Sequence, residues 1–100
     1  MPKVVWDPDA QEDLRTIAQY VGIERASPRA ARELVDSVRR KCELHATQPQ
    51  MGEERPDLEP GIRVFSVGNY VVLYFPMDSG IYVVRVFDGR RDYPTLFRSR

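Results

Sequence analysis

The sequence has 100 residues, of which 42% are hydrophobic, with 15 Lys and Arg against 15 Asp and Glu. This length accommodates one modest core, so we expect a single domain over residues 1–100, and the zero formal net charge argues against nucleic-acid binding that relies on overall charge. The lone cysteine, Cys42, excludes an internal disulfide.

The first predicted elements are a short strand and a helix that follows it directly. Residues 3–6 are mostly apolar with two valines, and Asp7 and Pro8 supply an N-cap side chain and a proline suited to the first helical turn. Apolar residues then recur at helical spacing, namely Ala10, Leu14, Ile17, Ala18 and Val21. This stripe predicts a helix that ends near Glu24 or Arg25.

A second helix is predicted to follow almost at once. Ser27 and Pro28 repeat the start signal. The second apolar stripe comprises Ala31, Leu34, Val35, Val38 and Cys42, and it predicts a helix that reaches Ala46. Because the connection is so short, the two helices should form an antiparallel hairpin whose stripes share one partner surface, which must be a sheet.

The C-terminal half is predicted to supply that sheet. Residues 48–61 contain three prolines and two glycines, which favours an exposed connection without regular structure. Three apolar segments, 62–67, 70–75 and 81–87, are separated by short turns and predict antiparallel strands. The expected fold class is therefore α+β, with an N-terminal strand and an antiparallel helix hairpin packed on a C-terminal three-stranded antiparallel sheet.

Two details of the C-terminal half can also be predicted. Strict alternation places Tyr82, Val84 and Val86 on one face of the last strand, and Ile81, Val83, Arg85 and Phe87 on the other. Residues 92–97 form a short tail whose Leu96 and Phe97 are apolar. This apolar pair either closes the open face of the sheet or anchors a partner.

Charge is distributed unevenly along the chain. Residues 85–100 hold five arginines against two aspartates, whereas residues 51–84 hold two arginines against five acids. Arg90 and Arg91 are therefore either a cationic patch for a partner or solvated charges at the end of a strand, and Asp92 is placed to hold Arg91.

Arg63 and Arg85 have a similar pair of interpretations. They are either contact residues or partners of local acids such as Glu59 or Asp78. By contrast, Tyr70, Tyr74 and Tyr82 stand on predicted strands and are expected in the core.

The two remaining reactive side chains are expected to be structural. His45 is the only group that titrates near neutrality, and no Ser, Cys or acid stands at a spacing that suggests a triad. We expect it to be a cation at a helix end. Cys42 falls within an apolar stripe, where a thiol is generally inert.

Several functional classes lack their sequence patterns. Glycine-rich phosphate loops and zinc-ligand spacings do not occur, so no cofactor and no metal are expected. No apolar run approaches the about 20 residues that span a membrane, and no secretory start is present. We therefore expect a cytoplasmic protein without membrane association.

A series of short motifs runs along nearly the whole chain. It comprises Ala10-x-x-Asp13-Leu14-x-x-Ile17-x-x-Tyr20, Pro28-x-Ala30-Ala31, Pro49-x-x-Gly52-x-x-Arg55-x-x-Leu58, Gly61-Ile62-Arg63, Gly68-Asn69-Tyr70-Val71-Val72-x-Tyr74 and Arg85-Val86-x-x-Gly89-Arg90-Arg91-Asp92-x-x-x-Leu96-Phe97. In this order, the motifs resemble the ParE branch of the RelE/ParE toxin superfamily of bacterial type II toxin–antitoxin modules.

The resemblance implies a RelE/ParE-like fold and a toxin that a cognate antitoxin holds inactive. The antitoxin is expected to wrap an acidic C-terminal segment across the toxin, forming a hetero-oligomer. ParE-like members poison DNA gyrase, whereas RelE-like members cut mRNA in the ribosomal A site. The resemblance therefore implies gyrase or the translating ribosome as the target, without direct sequence-specific binding of nucleic acid.

The residues favour the gyrase branch. Where the ribonuclease branch carries an arginine and a C-terminal tyrosine, this sequence has Val71 and Phe97, which can neither neutralise a phosphate nor donate a proton. Arg91 matches one remaining cation of that branch. We therefore expect no catalytic residue, and partner contacts through Arg63, Arg85, Arg90, Arg91, Leu96 and Phe97. The alternatives are a ribosome-dependent endoribonuclease and an inactive module that only binds antitoxin.

Overall fold

The computed structural model describes residues 2–99 and confirms the α+β fold class. Its elements in chain order are β1 (Lys3–Trp6), α1 (Pro8–Glu24), α2 (Pro28–Thr47), β2 (Glu53–Glu54), β3 (Arg63–Val67), β4 (Tyr70–Met77), β5 (Gly80–Asp88) and α3 (Tyr93–Arg98). The strands form one sheet of order β1-β5-β4-β3-β2, in which β1 runs parallel to β5 and the other pairs are antiparallel.

The helix hairpin forms as the start signals predict. The Asp7 carboxylate accepts the Asp9 N–H at 2.8 Å, and the Ser27 hydroxyl accepts the Ala30 N–H at 3.1 Å. Ala26, with φ at 49°, turns the chain between the two helices. None of the helices between residues 2 and 99 has the length and apolar character needed to cross a membrane.

The sheet is wider than the three strands predicted for the C-terminal half. β1 extends it beside β5, with Val4 opposite Ile81. β2 extends the other edge by pairing with β3, and it lies inside the segment 48–61 that was predicted to lack regular structure. A strand of two residues is too short to show alternation of apolar and polar residues. The prediction for this segment therefore rested on the surrounding prolines and glycines.

Apolar side chains pack against both faces of this sheet. The face toward α1 and α2 is packed with Ala10, Leu14, Val38, Cys42, Ala46, Phe65, Val72, Tyr74, Ile81, Val83 and Val86. The opposite face is packed with Leu58, Ile62, Val64, Val71, Leu73, Phe87 and Phe97. The second face is therefore covered by the segment before β3 and by α3, rather than by long helices.

The predicted alternation of the last strand holds as far as Val84, which packs on the face opposite Ile81 and Val83, and is wrong beyond it. The pairing of β4 with β5 shifts register where Leu73 faces Arg85 and Tyr74 faces Val83, so Val84 is an extra residue in β5. After this bulge, Val86 packs on the helix side and Phe87 on the opposite side. One inserted residue reverses the faces of all that follow, because side chains alternate with a period of two.

The strand tyrosines differ in burial. Tyr74 is fully buried, as predicted, and its hydroxyl donates to the Pro49 carbonyl at 2.7 Å while accepting the Gly52 N–H at 2.9 Å. Tyr70 and Tyr82 are only half-buried. The prediction of a core position therefore holds fully for Tyr74 alone.

His45 lies in the last turn of α2, but it is not the cation that was predicted there. Its ring stacks on Phe65 with centroids 3.9 Å apart, and Nδ1 donates to the Lys41 carbonyl at 2.8 Å. Burial lowers the pKa of His45 from its ordinary value of 6.5, so the ring is neutral at physiological pH. His45 follows Cys42 by three residues and therefore lies on the buried face of α2. The cost of burying a charge there outweighs the favourable interaction of a cation with the helix end.

We expect the free energy of unfolding to fall as the pH drops below about 6.5, because unfolded His45 then binds a proton that the folded protein resists. The aspartates whose pKa is lowered in the fold, such as Asp57, lose their contribution only at much lower pH. Urea unfolding between about pH 7.5 and pH 5 measures the effect. His45→Phe, which keeps the stack, should be nearly flat over this range, and an equally flat wild type would contradict the prediction.

Gly80 is predicted to be essential for docking β1. It has φ at 152°, and a Cβ there would lie 1.8 Å from the Lys3 carbonyl oxygen. Gly80→Ala should therefore lower the free energy of unfolding by more than about 3 kcal/mol in chemical denaturation. The control Gly68→Ala, with φ at 58° and open space around it, should cost only about 1–2 kcal/mol. Equal losses in both variants would refute the steric explanation.

Candidate functional site

Arg85 is held against α1 by Asp13. Its Nε donates to the Asp13 carboxylate at 2.6 Å and its Nη2 at 3.0 Å, and the same carboxylate accepts the Val86 N–H at 2.9 Å. β1 pairs with β5 only as far as Val83, so Asp13 occupies the place of a strand partner beyond that point. The Arg85 guanidinium also lies 4.6 Å from the centre of the Phe87 ring, and its main contacts are therefore internal.

Arg63 fastens the segment around β2 to the sheet. Its Nη1 donates to the carbonyls of Gln50 and Gly52 at 2.8 and 2.6 Å, and its Nη2 donates to the Glu54 carboxylate at 2.8 Å. With Arg85 bound to Asp13, both arginines have acidic partners, as one of the two interpretations allowed. The acids that served as examples for this pairing, Glu59 and Asp78, form neither ion pair.

Arg90 is fixed in place but remains accessible. Its Nε and Nη2 donate to the two oxygens of Asp88 at 3.0 and 2.9 Å, and its backbone N–H donates to the same carboxylate. This pairing lowers the pKa of Asp88 and raises that of Arg90. The Arg90 side chain is 61% exposed, and its Nη1 has no hydrogen-bond acceptor among residues 2–99.

Arg91 is exposed and is not held by Asp92, contrary to the prediction. Within residues 2–99 its guanidinium forms no ion pair or hydrogen bond. Asp92 instead caps α3, accepting the Thr95 N–H at 3.4 Å and the Thr95 hydroxyl at 2.7 Å. The Asp92 carboxylate therefore accepts hydrogen bonds at the N-terminus of α3 instead of pairing with Arg91.

The apolar pair of the tail is divided between the interior and the surface. Phe97 is 0% exposed in the cluster on the second face of the sheet, whereas Leu96 is 42% exposed. Phe97 therefore closes the face of the sheet, which was one of the two alternatives, and it is inaccessible to a partner in this conformation. Leu96 is available for contact.

Arg55, which was not among the predicted contact residues, fastens α3 to the segment before β3. Arg55 donates to both oxygens of Asp57 at 2.9 Å, and its Nη1 donates to the Tyr93 hydroxyl at 2.7 Å. These bonds raise the pKa of Arg55. They connect the segment before β3 with α3, and this connection keeps Phe97 in place.

The helix hairpin borders two grooves that share no lining residue. The apolar groove, about 620 Å³, lies between both helices and β1 and is lined by Val4, Trp6, Leu14, Ala18 and Val35 among others. The second groove, about 590 Å³, lies at the other end of the hairpin, against the turn between β3 and β4. Tyr20 borders the second groove, and its position off the apolar stripe of α1 was the signal that sequence reasoning overlooked.

The described residues offer cations but little for proton transfer. The Cys42 thiol is buried, and burial raises its pKa to about 12, so it is protonated and unreactive. His45 is enclosed by aromatic rings. No three His, Cys, Asp or Glu side chains within residues 2–99 are grouped so that they could hold a metal. Exposed side chains such as Tyr20 and Arg90 remain accessible for recognition.

We expect Asp13→Ala to lower the free energy of unfolding by about 2 kcal/mol, because the partly buried Arg85 side chain and the Val86 N–H both lose their acceptor. Glu12→Ala removes the neighbouring ion pair with Arg15, whose side chains are 62% and 63% exposed, and should change stability by less than about 0.5 kcal/mol. Urea unfolding of both variants measures the difference. Comparable losses would show that Asp13 does not seal the edge of β5.

Comparisons with known proteins agree on one family. The family model for the ParE toxin of the type II toxin–antitoxin system parDE matches residues 4–93. The chain is similar to Toxin ParE3 of Caulobacter vibrioides, with 32% identity over 82 residues that cover 82% of this chain and 77% of the relative.

A solved structure has the same fold. A chain of the chromosomal ParDE toxin–antitoxin system from P. aeruginosa superposes with a TM-score of 0.73 at 19% identity, covering 88% of this chain and 96% of that one. The match of the family model and the similarity to a named toxin together show that this chain belongs to the ParE toxin family of type II toxin–antitoxin systems.

Proposed function

We propose that this protein arrests growth by binding and poisoning DNA gyrase in the cytoplasm, and that a cognate antitoxin neutralises it by covering its surface. Membership of the ParE family supports this, because ParE-like members act on gyrase whereas RelE-like members act on mRNA. The proposed activity is binding, with no bond made or broken by the toxin.

The observation that carries the proposal is the burial of Val71 and Phe97. Metal-free RNA cleavage needs a cation for the charged transition state and an acid for the leaving oxygen. At the two positions where the ribonuclease branch carries an arginine and a tyrosine, these side chains are apolar and only 8% and 0% exposed. Neither can reach a phosphodiester, so the ribonuclease alternative retains Arg91 alone.

The apolar groove beside β1 supports the antitoxin part of the proposal. Trp6, Leu14 and Val35 line it, and an apolar segment of a partner would bury this surface. The exposed Arg39 borders the same groove and complements acidic residues on such a segment, as does Arg15, which is paired with Glu12 at the surface. A toxin–antitoxin hetero-oligomer is the expected assembly.

The proposal is tested with purified toxin, purified gyrase and a relaxed plasmid. Supercoiling should decline with toxin concentration, linear DNA should appear after detergent and protease treatment, and equimolar antitoxin should restore supercoiling. Full supercoiling at a large excess of toxin would reject gyrase as the target. Toeprinting on translated mRNA tests the ribonuclease alternative, and normal growth after induced expression would favour an inactive antitoxin-binding module.

We expect Arg91→Ala to raise the toxin concentration needed for half-maximal DNA cleavage about tenfold, which corresponds to about 1.4 kcal/mol of binding free energy. The reason is that Arg91 is an exposed cation without an ion pair inside the described fold. Arg40→Ala is the control, since Arg40 is also exposed and, within the described residues 2–99, bonds only to Ser37. An unchanged titration for Arg91→Ala would exclude this residue from the contact.

A further inference from the structure

We propose that the second groove, bordered by Tyr20, Glu24, Asn69, Tyr70 and Arg90 and here named the target groove, is where the toxin contacts its protein target. The proposed occupant is an acidic segment of the target that presents a carboxylate flanked by apolar side chains. This inference rests on the proposed function and adds the contact surface and the chemistry of the partner.

The target groove is formed by four parts of the fold that meet at one end of the molecule, one of which is α2 with Leu34 and Ser37. The last turns of α1 supply Tyr20 and Glu24, the turn between β3 and β4 supplies Asn69, and Arg90 follows β5. The Gly89 N–H donates to the Asn69 carbonyl at 2.7 Å and holds two of these parts together. The groove is therefore built on fixed elements rather than on a free loop.

Arg90 is prepared to bind a carboxylate. Its two bonds to Asp88 fix the plane of the guanidinium, while Nη1 remains open and the side chain is 61% exposed. A guanidinium that is already oriented loses little conformational entropy when it binds, and its hydrogen bonds to a carboxylate are charge-assisted. An acidic side chain of the partner is thus the group that this position fits best.

The apolar part of the contact comes from the end of α1. Tyr20 is 57% exposed and Ile23, three residues further along the helix, is 81% exposed. Both lie outside the stripe that packs on the sheet, so the fold does not need them to be apolar. Tyrosine and arginine together are typical of the residues that dominate binding energy at protein interfaces.

The charge around the target groove is positive after internal pairing. Asp88 is paired with Arg90, and Glu24, whose interaction raises the pKa of the Tyr20 hydroxyl, is outnumbered by the two arginines Arg25 and Arg91. Arg25, which lines the groove, and the exposed Arg91 remain without an ion pair among residues 2–99. An acidic partner is therefore favoured electrostatically.

The target, rather than the antitoxin, is assigned to this groove because the two grooves differ in chemistry. Long-lived complexes bury mainly apolar surface, and the apolar groove with Trp6, Leu14 and Val35 offers it. The target groove is lined largely by polar side chains around Tyr20 and Tyr70, which suits a weaker contact with a target.

The test compares Tyr20→Ala and Arg90→Ala with the exposure-matched controls Leu44→Ala and Arg40→Ala. Leu44 is 53% exposed and borders neither groove. Three quantities are measured for each protein, namely gyrase-dependent DNA cleavage, antitoxin affinity by calorimetry and growth arrest in cells. Both test variants should need at least about tenfold more toxin for half-maximal cleavage, with antitoxin affinity changed less than about threefold and the controls unchanged.

The other outcomes separate failure of the inference from failure of the proposed function. Wild-type potency in both test variants would place the target contact elsewhere, and a selective loss of antitoxin affinity would assign the groove to the antitoxin. If the wild type arrests growth without affecting gyrase, the proposed gyrase target fails, and growth arrest by the Tyr20 and Arg90 variants then decides the inference for whichever target is involved. A wild type that does not arrest growth at all would overturn both.

Discussion

Pairing between β4 and β5 is the constraint on which the rest of the structure depends, because these neighbouring strands carry apolar side chains on both of their faces. Val72, Tyr74, Ile81 and Val83 are buried toward the helix hairpin, while Leu73 is buried on the opposite side. Such strands are stable only when both faces are covered. The hairpin covers one face, and the second falls to the segment before β3 and a six-residue helix.

Covering the second face explains how several polar residues are used. Arg55 joins that segment to Tyr93, and Asp92 caps the helix that delivers Phe97 to the core. Arg63 anchors the adjoining backbone around Gly52. These residues hold the segment before β3 and helix α3 against the sheet. Their charged groups bond mainly to other groups of the same protein. Arg90 and Arg91, beyond the end of β5, are by contrast exposed to solvent.

The boundaries of the main elements could be predicted because their signals are local. Asp7-Pro8 and Ser27-Pro28 correctly indicate that α1 and α2 begin at Pro8 and Pro28. The turn at Gly68 likewise marks the boundary between β3 and β4. The family resemblance also depends on short motifs in order along the chain. Local patterns of this kind survive in a single sequence because capping and alternation act over a few residues.

Features that depend on distant contacts could not be predicted. The bond between Arg85 and Asp13 joins residues 72 positions apart. The sequence around neither residue indicates this pairing. The bulge at Val84 reverses the faces of the residues that follow it in β5, and no local pattern in the sequence indicates it. His45 could be placed near a helix end, but its neutrality follows from the ring of Phe65, which only the folded sheet brings to it. Of the residues that border the proposed target groove, only Arg90 was among the predicted contact residues, because the others come together only in the folded chain.

The parallel contact between β1 and β5 has a consequence for synthesis of the toxin. Residues 3–6 of β1 pair through their backbone with residues 80–83 of β5. The first strand to be synthesised therefore cannot pair until the last strand has also left the ribosome. Until then the hairpin has no complete sheet on which to pack, and Arg90 has not yet been made. A partly translated chain therefore cannot complete the sheet, and the fold forms only when synthesis is close to its end.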